Sequence, residues 1–265
     1  MTASELFQSG KLRGAIDAQI AKVKAQPANN PARFFLFELF LFAGELDRAR
    51  KQLDVLRYDD PQHIAAIEQY RNALDAEVKR RAVFAGTDQP KGLTDGPAHV
   101  MQRFEALQLL ARGETTEGQR RLDEANAAVP ALKGTINGLP FEGLYVADAR
   151  FGTVLEVFGS GGIYSWVPLE NVESITLNAP AAPRDVILRP ANLVLTDGIE
   201  GDVLLPGLYP GSWQSADEEL QLGLATDWLG TDGEAIRGVG LRQFLAGTAP
   251  HSFTQIRQIQ FPKLG

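Results

Sequence analysis

Apolar side chains recur at helical spacing in the first half of the chain. Residues 63–84 contain neither glycine nor proline, and Ile64, Ile67, Leu74 and Val78 lie three, seven and four residues apart. Side chains at these intervals share one face of an α-helix. The pattern therefore predicts a long helix over 63–84.

The most apolar stretch of the chain, FFLFELFLF at 34–42, contains a single charged residue, Glu38. It is far shorter than the roughly 20 residues that cross a bilayer. We interpret it as a buried helix and expect no membrane partner.

A repeated spacing of small residues and prolines organises the first half. Gly10, Gly44 and Gly113 are each followed 17 residues later by proline, and five residues after each glycine stands a small residue, Ala15, Ala49 or Gly118. The first two units begin 34 residues apart, the period of tetratricopeptide (TPR) hairpins, in which small residues let helices touch. Residues 1–130 are therefore predicted to form a TPR-like α-solenoid. Its expected repeat-packing residues are Gly10, Ala15, Gly44, Ala49 and Gly113.

The pattern changes after residue 130, where 18 of the 26 glycines and 9 of the 15 prolines lie. Short apolar or alternating runs between these breaks are typical of strands. The runs are 153–158, 163–168, 172–177, 192–196, 202–206 and 252–261. Residues 131–265 are predicted to form a β-rich, small barrel-like domain, so the fold class is α+β with domains 1–130 and 131–265. One short helix through EELQL is expected, capped by Ser215 with Glu218.

Composition and charge exclude several kinds of function. The net charge of −7 lies entirely in the second half, where 8 basic residues face 15 acidic ones. An acidic domain repels phosphate backbones, so nucleic acid is not an expected partner. The chain has no cysteine, which excludes disulfides and thiolate sites and suits a reducing cytoplasm. The first residues show no secretory signal pattern, and we expect a cytoplasmic protein.

Signatures of common enzymes are missing from the sequence. There is no phosphate-binding glycine loop and no nucleophile elbow. His63, His99 and His251 lie in separate segments without ligand spacing, and each is expected at the surface or in a loop. The run Lys79-Arg80-Arg81 is expected on a solvated helix face, since acidic residues precede it at pairing distance. Asp217-Glu218-Glu219 suits a helix N-terminus. We expect no cofactor and no metal.

The segment YPGSWQS at 209–215 joins two aromatic residues to a Pro-Gly turn. Amphipathic aromatic side chains are favoured at protein interfaces. The alternative is that Pro-Gly makes a turn while both rings close the core. The candidate partner-contact loop consists of Tyr209, Pro210, Gly211, Ser212 and Trp213.

Several segments in both halves carry a family resemblance. They are 37–56, the Asp-Asp-Pro at 59–61, 68–86, 136–158, 164–175, 179–191, 208–228 and 255–261. With these segments the chain resembles the ImpE/TagJ family, also described as SciE-type proteins, over nearly its full length. Two positions depart from the family pattern: Gly143 replaces an aromatic residue, and Leu208 replaces a basic residue before Tyr-Pro-Gly-Ser.

The resemblance implies a non-enzymatic accessory protein at the contractile sheath of a bacterial type VI secretion system. Members of the family are associated with the small sheath subunit and with the ClpV-type AAA+ unfoldase that recycles the sheath. We expect an adaptor whose helical half offers a groove to a partner helix. The alternatives are a TPR scaffold unrelated to secretion, and a β-domain hydrolase that uses some of Asp148, Glu156, Asp185 and Asp197.

Overall fold

The computed structural model describes residues 1–93, 96–230 and 236–262. Seven helices precede the first strand in this part of the chain. They are α1 (Ala3–Gln8), α2 (Leu12–Ala25), α3 (Asn30–Phe42), α4 (Leu46–Asp54), α5 (Pro61–Phe84), α6 (Ala98–Ala111) and α7 (Thr115–Ala127). An eighth, α8 (Glu218–Gln221), lies among the strands. The predicted helix over 63–84 and the buried helix over 34–42 are both present. No helix in the described ranges is both long and apolar enough to cross a membrane.

The three repeat glycines end helices and turn the chain. Gly10, Gly44 and Gly113 have φ angles of 77°, 70° and 79°. The amide after each glycine donates to the carbonyl five residues earlier, as Glu45 N does to Phe40 O at 2.9 Å. This arrangement satisfies carbonyls that a helix end leaves unpaired, and it favours glycine because a Cβ is strained at positive φ.

The small residues that follow these glycines lie at buried positions on the next helix. Ala15 and Ala49 have no exposed surface. A Cβ added to Gly118 would lie 2.8 Å from the Leu110 side chain, so α7 approaches α6 as closely as glycine permits. Successive helices α1 to α4 pack on one another, as do α6 and α7. The assignment of these hairpins to a TPR-like solenoid stays a prediction.

The second half is built from antiparallel strands. They are β1 (Lys133–Ile136), β2 (Leu139–Glu142), β3 (Leu144–Val146), β4 (Val154–Gly159), β5 (Ile163–Pro168), β6 (Val172–Leu177), β7 (Leu188–Leu195), β8 (Glu200–Pro206), β9 (Thr226–Leu229), β10 (Arg237–Gly240), β11 (Gln243–Ala246), β12 (Ala249–Ser252) and β13 (Gln258–Gln260). Eight of them form one sheet in the order β2-β1-β13-β6-β7-β8-β4-β5. A smaller sheet has the order β12-β11-β3, and β9 pairs with β10.

The expected barrel is wrong, because the large sheet is open: its end strands β2 and β5 do not pair within the described ranges. The outer edge of β5 is instead covered from the helical half. Lys91 N donates to Tyr164 O, and Trp166 N donates to Lys91 O, both at 2.9 Å. The contact satisfies two of the backbone groups that closure of a barrel would otherwise pair.

Two further predictions differ from the structure. The run 252–261 is not one strand, because a turn at Phe253–Gln255 separates β12 from β13. The short helix α8 is capped by Asp217, whose side chain accepts from Glu219 N at 2.8 Å. Ser215 instead accepts from the amide of Asp217, so the predicted cap lies two residues too early.

Buried apolar side chains from both halves form one continuous cluster. Helix α5 makes this possible, since it contacts β4, β5 and the turn between them as well as α4 and α6. The change from helices to strands near residue 130 therefore does not divide the core. The separation into domains 1–130 and 131–265 stays a prediction.

Candidate partner-contact site

The Tyr209 loop, residues 209–213, lies between α5 and the β9–β10 hairpin. The Tyr209 ring is 1% exposed, and its centroid is 5.7 Å from that of Trp228. The Tyr209 hydroxyl accepts from Gln243 N at 3.0 Å and donates to Gln243 O at 3.3 Å. Burial raises the pKa of this hydroxyl to about 12. Tyr209 therefore has the core role that the alternative interpretation of the loop gave to both rings.

Ser212 and Gly211 fix the shape of the loop. Gly211 has a φ angle of 83° and makes the turn after Pro210. The buried Ser212 hydroxyl donates to Tyr209 O at 2.7 Å and accepts from Gly240 N at 2.8 Å. The loop is thereby tied to β10, and it holds Trp213 in a defined position.

Trp213 packs across the turn between α3 and α4. A Cβ added to Gly44 would lie 2.5 Å from the Trp213 ring, so only glycine admits the indole here. The guanidinium of Arg81 lies 4.4 Å from the ring centroid, donates to Gly44 O at 2.9 Å and pairs with Glu77 at 3.0 Å. Trp213 is only half-buried. Two features predicted separately from the sequence, the repeat glycine and the aromatic loop, are thus in contact.

A cleft of about 370 Å³ opens beside Trp213, between α5 and the β9–β10 hairpin. Its aromatic walls are Trp213 and Phe84, and its basic groups come from both halves. The lining residues are Glu77, Arg80, Arg81, Phe84, Ala85, Arg150, Pro210, Gly211, Trp213, Gln214 and Arg237. No sequence pattern indicated that Arg150 or Arg237 would lie at this place, since they come from segments far from Arg81 in the chain.

Behind the cleft, Glu156 on β4 binds two arginines. Arg80 donates to both carboxylate oxygens, at 2.7 and 2.9 Å. Arg242 pairs with the same carboxylate, and the Tyr164 hydroxyl donates to it at 2.5 Å. Arg80 also donates to Leu208 O at 2.9 Å. The network joins α5 to the sheet. The prediction that Arg80 lies on a solvated helix face is wrong, because this residue is 5% exposed.

The electrostatics of Glu156 follow from its surroundings. Burial by itself raises the pKa of the carboxyl group, but the charges of Arg80 and Arg242 and the hydrogen bonds from Arg80 and Tyr164 lower it more. The resulting pKa is about 2. Glu156 is therefore a permanently ionised structural group at neutral pH, with its oxygens occupied by donors.

Asp148, a second carboxylate of the hydrolase hypothesis, is equally enclosed. It has no exposed surface and forms a two-pronged ion pair with Arg150, with contacts of 2.9 and 2.6 Å. It also accepts from Gly238 N at 2.9 Å. Through the hydrogen bond from Gly238, this aspartate connects the segment after β3 to the start of β10.

The remaining two carboxylates make local backbone contacts. Asp185 accepts from the amides of residues 181–182, both at 2.9 Å. Asp197 accepts from Ile199 N at 3.0 Å in the turn between β7 and β8. The four carboxylates thus lie in four different segments, and each has a structural role in the fold.

The histidines do not converge. His63 is exposed and lies 3.3 Å from Asp60, and His251 lies on β12. The surface role expected for His99 is wrong, since it is 2% exposed and pairs with Glu170 between α6 and the sheet. Within the described ranges, no group of three or more histidine, aspartate or glutamate side chains is arranged to hold a metal ion.

Comparison with known proteins gives two full-length similarities and one family match. The family model described as "ImpE protein" matches residues 138–260. The chain is 34% identical over 261 residues to the type VI secretion system accessory component TagJ of Pseudomonas aeruginosa, covering 98% of this chain and 91% of the relative. A crystal structure of a Vibrio parahaemolyticus protein superposes with a TM-score of 0.89 at 21% identity, covering 98% and 97% of the two chains. At that identity the likeness shows the fold alone.

Proposed function

Since the chain belongs to the ImpE/TagJ family, we propose that it is a non-enzymatic accessory component of a bacterial type VI secretion system. The observation that carries this proposal is the similarity to TagJ, which extends over nearly the whole of both chains. Both the helices and the sheet are therefore shared with a protein of that name. Such a protein acts on other components of the machine, and we place its action in the cytoplasm.

The buried charges support a role without catalysis. A general acid or base needs a pKa near the working pH and access to substrate. Glu156 has neither, because its pKa is about 2 and its side chain has no exposed surface. Asp148 is enclosed by Arg150 and the backbone. We therefore assign these carboxylates to the fold.

The partner in this proposal is the small sheath subunit, the ClpV-type unfoldase, or both. A TPR-like stack of hairpins presents extended surfaces that suit an amphipathic helix. On the helical half, a broad groove of about 460 Å³ lies between the α3–α4 turn at 44–48 and the last turns of α5. Val78 lines it and is 52% exposed. We propose that this groove receives a helix of the small sheath subunit, with Val78 as an apolar anchor.

Affinity capture of the tagged full-length chain from its native bacterium tests this function. The small sheath subunit and the unfoldase are quantified among the captured proteins, for the wild type and for Val78→Glu. We expect at least one of the two with the wild type and less of it with the variant, because burying an unpaired charge opposes docking. Capture of neither component would contradict the proposal.

Ile64→Glu is a matched control for that variant. Ile64 is also 52% exposed and lies on the same helix, about 21 Å away at 1.5 Å per residue. It does not line the groove beside Val78. We expect normal capture with this control.

A further inference from the structure

The cleft beside Trp213 differs from the rest of this acidic protein in its charge. At the cleft and directly behind it, the described residues include five arginines and three carboxylates. They are Arg80, Arg81, Arg150, Arg237 and Arg242, against Glu77, Asp148 and Glu156. The excess is two positive charges, whereas the whole chain carries a net charge of −7.

The excess charge lies on two arginines at the cleft surface. Arg237 is exposed and forms no ion pair with any residue in the described ranges. Arg81 shares the carboxylate of Glu77 with Arg80, and its side chain is 27% exposed. By contrast, Arg150 is paired with the buried Asp148. Arg81 and Arg237 are thus the groups that a negatively charged ligand would meet.

Apolar surface accompanies these charges. Trp213 and Phe84 line the cleft. On the hairpin that carries Arg237, Trp228 is 39% exposed and Leu229 is 46% exposed. Large exposed apolar side chains next to basic groups are typical of surfaces that bind protein segments.

We propose that this cleft binds an acidic segment of a protein partner. Carboxylates of the segment pair with Arg81 and Arg237, and an apolar side chain of the segment packs against Trp213 and Phe84. Arginine suits this role because its planar guanidinium binds a carboxylate through two hydrogen bonds. Arg81 and Arg237 supply basic groups to the Tyr209 loop from two other segments of the chain.

A short peptide fits the cleft better than a nucleic acid. A polyanionic backbone would extend beyond a cleft of about 370 Å³ onto a second half in which acidic residues outnumber basic ones, and it would be repelled there. A segment with a few carboxylates places its charge only at the two arginines. The inference rests on the proposed function only in that the partner is a protein. The cleft adjoins the groove at Val78 and shares Arg81 with it, whereas Arg237 lines the cleft and not the groove.

The test is a fluorescence anisotropy titration of the full-length chain with a short labelled peptide of glutamate, phenylalanine and glycine. A counterpart with glutamine in place of glutamate is the charge control. We expect the glutamate peptide to bind at least about tenfold more tightly, and Arg237→Glu to weaken its binding at least about tenfold. Added salt should weaken binding, because partly exposed ion pairs are screened.

Lys24→Glu is the matched protein control. It makes the same change in net charge at an exposed position on α2 that does not line the cleft. If Lys24→Glu weakened binding of the glutamate peptide as much as Arg237→Glu does, the effect would come from net charge alone and the proposal would be overturned. Equal binding of the two peptides, or no binding of either, would overturn it as well. Displacement of the peptide by inorganic phosphate at equal concentration would show a simple anion site instead.

The variant Val78→Ser separates this inference from the proposed function, because it removes the apolar anchor of the groove without adding a charge three residues from Arg81. We expect it to bind the glutamate peptide as the wild type does, since Val78 does not line this cleft. Loss of peptide binding in Arg237→Glu, with capture of machine components unaffected, would uphold both sites. If the glutamate peptide did not bind but the machine components were still captured, the cleft proposal would be refuted and the proposed function would stand.

Discussion

At the scale of single residues, Glu156 has the largest expected effect on stability. Its carboxylate pairs with both Arg80 and Arg242, and all three side chains are buried. Removing one partner of a buried ion pair leaves the other charge unpaired, which costs about 3–5 kcal/mol. We expect Glu156→Gln to lower the free energy of unfolding at neutral pH by this amount, as measured by urea denaturation. A change below about 1 kcal/mol would contradict the role assigned to the network.

The same residue gives a prediction for pH dependence. The folded pKa of Glu156 is about 2, below its ordinary value of 4.5. The unfolded chain therefore binds this proton first as the pH falls, and the stabilisation, fully present above 4.5, is lost between 4.5 and 2. The free energy of unfolding should fall less steeply across this window in Glu156→Gln than in the wild type. Parallel slopes would show that other carboxylates cause the acid sensitivity.

Gly44 and Gly113 form a matched pair for a second substitution experiment. Both have positive φ, so alanine costs about 1–2 kcal/mol of backbone strain at either position. A Cβ at Gly44 also meets the Trp213 ring at 2.5 Å, whereas a Cβ at Gly113 meets nothing within 4 Å. We expect Gly44→Ala to lower the thermal unfolding temperature clearly more than Gly113→Ala. Equal effects would mean that Trp213 does not pack on this turn in solution.

Several residue roles could be predicted from the sequence and others could not. The spacing singled out Gly10, Gly44 and Gly113 as repeat-packing residues, and the structure shows that all three also end helices at positive φ, where a left-handed turn favours glycine regardless of what packs on it. The contact of Gly44 with Trp213 joins positions 169 residues apart in the chain. No local pattern encodes such a contact, and the burial of Arg80 was missed for the same reason.

At the scale of elements, Ala49 tests the packing of α4. It has no exposed surface, and a phenylalanine there would overpack the contact and cost about 1–3 kcal/mol. Lys51→Phe introduces the same side chain at an exposed position on the same helix and serves as the control. We expect a lower free energy of unfolding for Ala49→Phe and little change for Lys51→Phe. Equal stabilities would contradict the close helix packing predicted from the repeat.

Elements with a strong local pattern were predictable. Strands β5 and β6 have the predicted bounds, and α5 extends the predicted helix by only two residues. Strands β1 and β2 were missed although Asn137-Gly138, with φ angles of 50° and 79°, form the kind of tight turn that joins hairpins. The barrel prediction was wrong because a sequence pattern of short strands and turns does not show whether the sheet closes or another segment covers its edge.

At the scale of the whole molecule, the shared core predicts cooperative unfolding. Apolar side chains from both halves form one cluster, and the buried pair Arg80–Glu156 joins α5 to β4. We therefore expect a single thermal transition, with the helical signal in far-ultraviolet circular dichroism and the tryptophan fluorescence changing together. Two separated transitions would show that the halves at 1–130 and 131–265 are independent folding units.

The proposed function requires that the helical half of the chain binds a partner helix. The decisive measurement is a fluorescence anisotropy titration of the purified full-length chain with a labelled peptide from the terminal helix of the small sheath subunit. We expect saturable binding that weakens at least about tenfold in Val78→Glu, a change of about 1.4 kcal/mol, and that is unchanged in Ile64→Glu. No binding to the intact chain, or equal affinity in all three proteins, would contradict the claim.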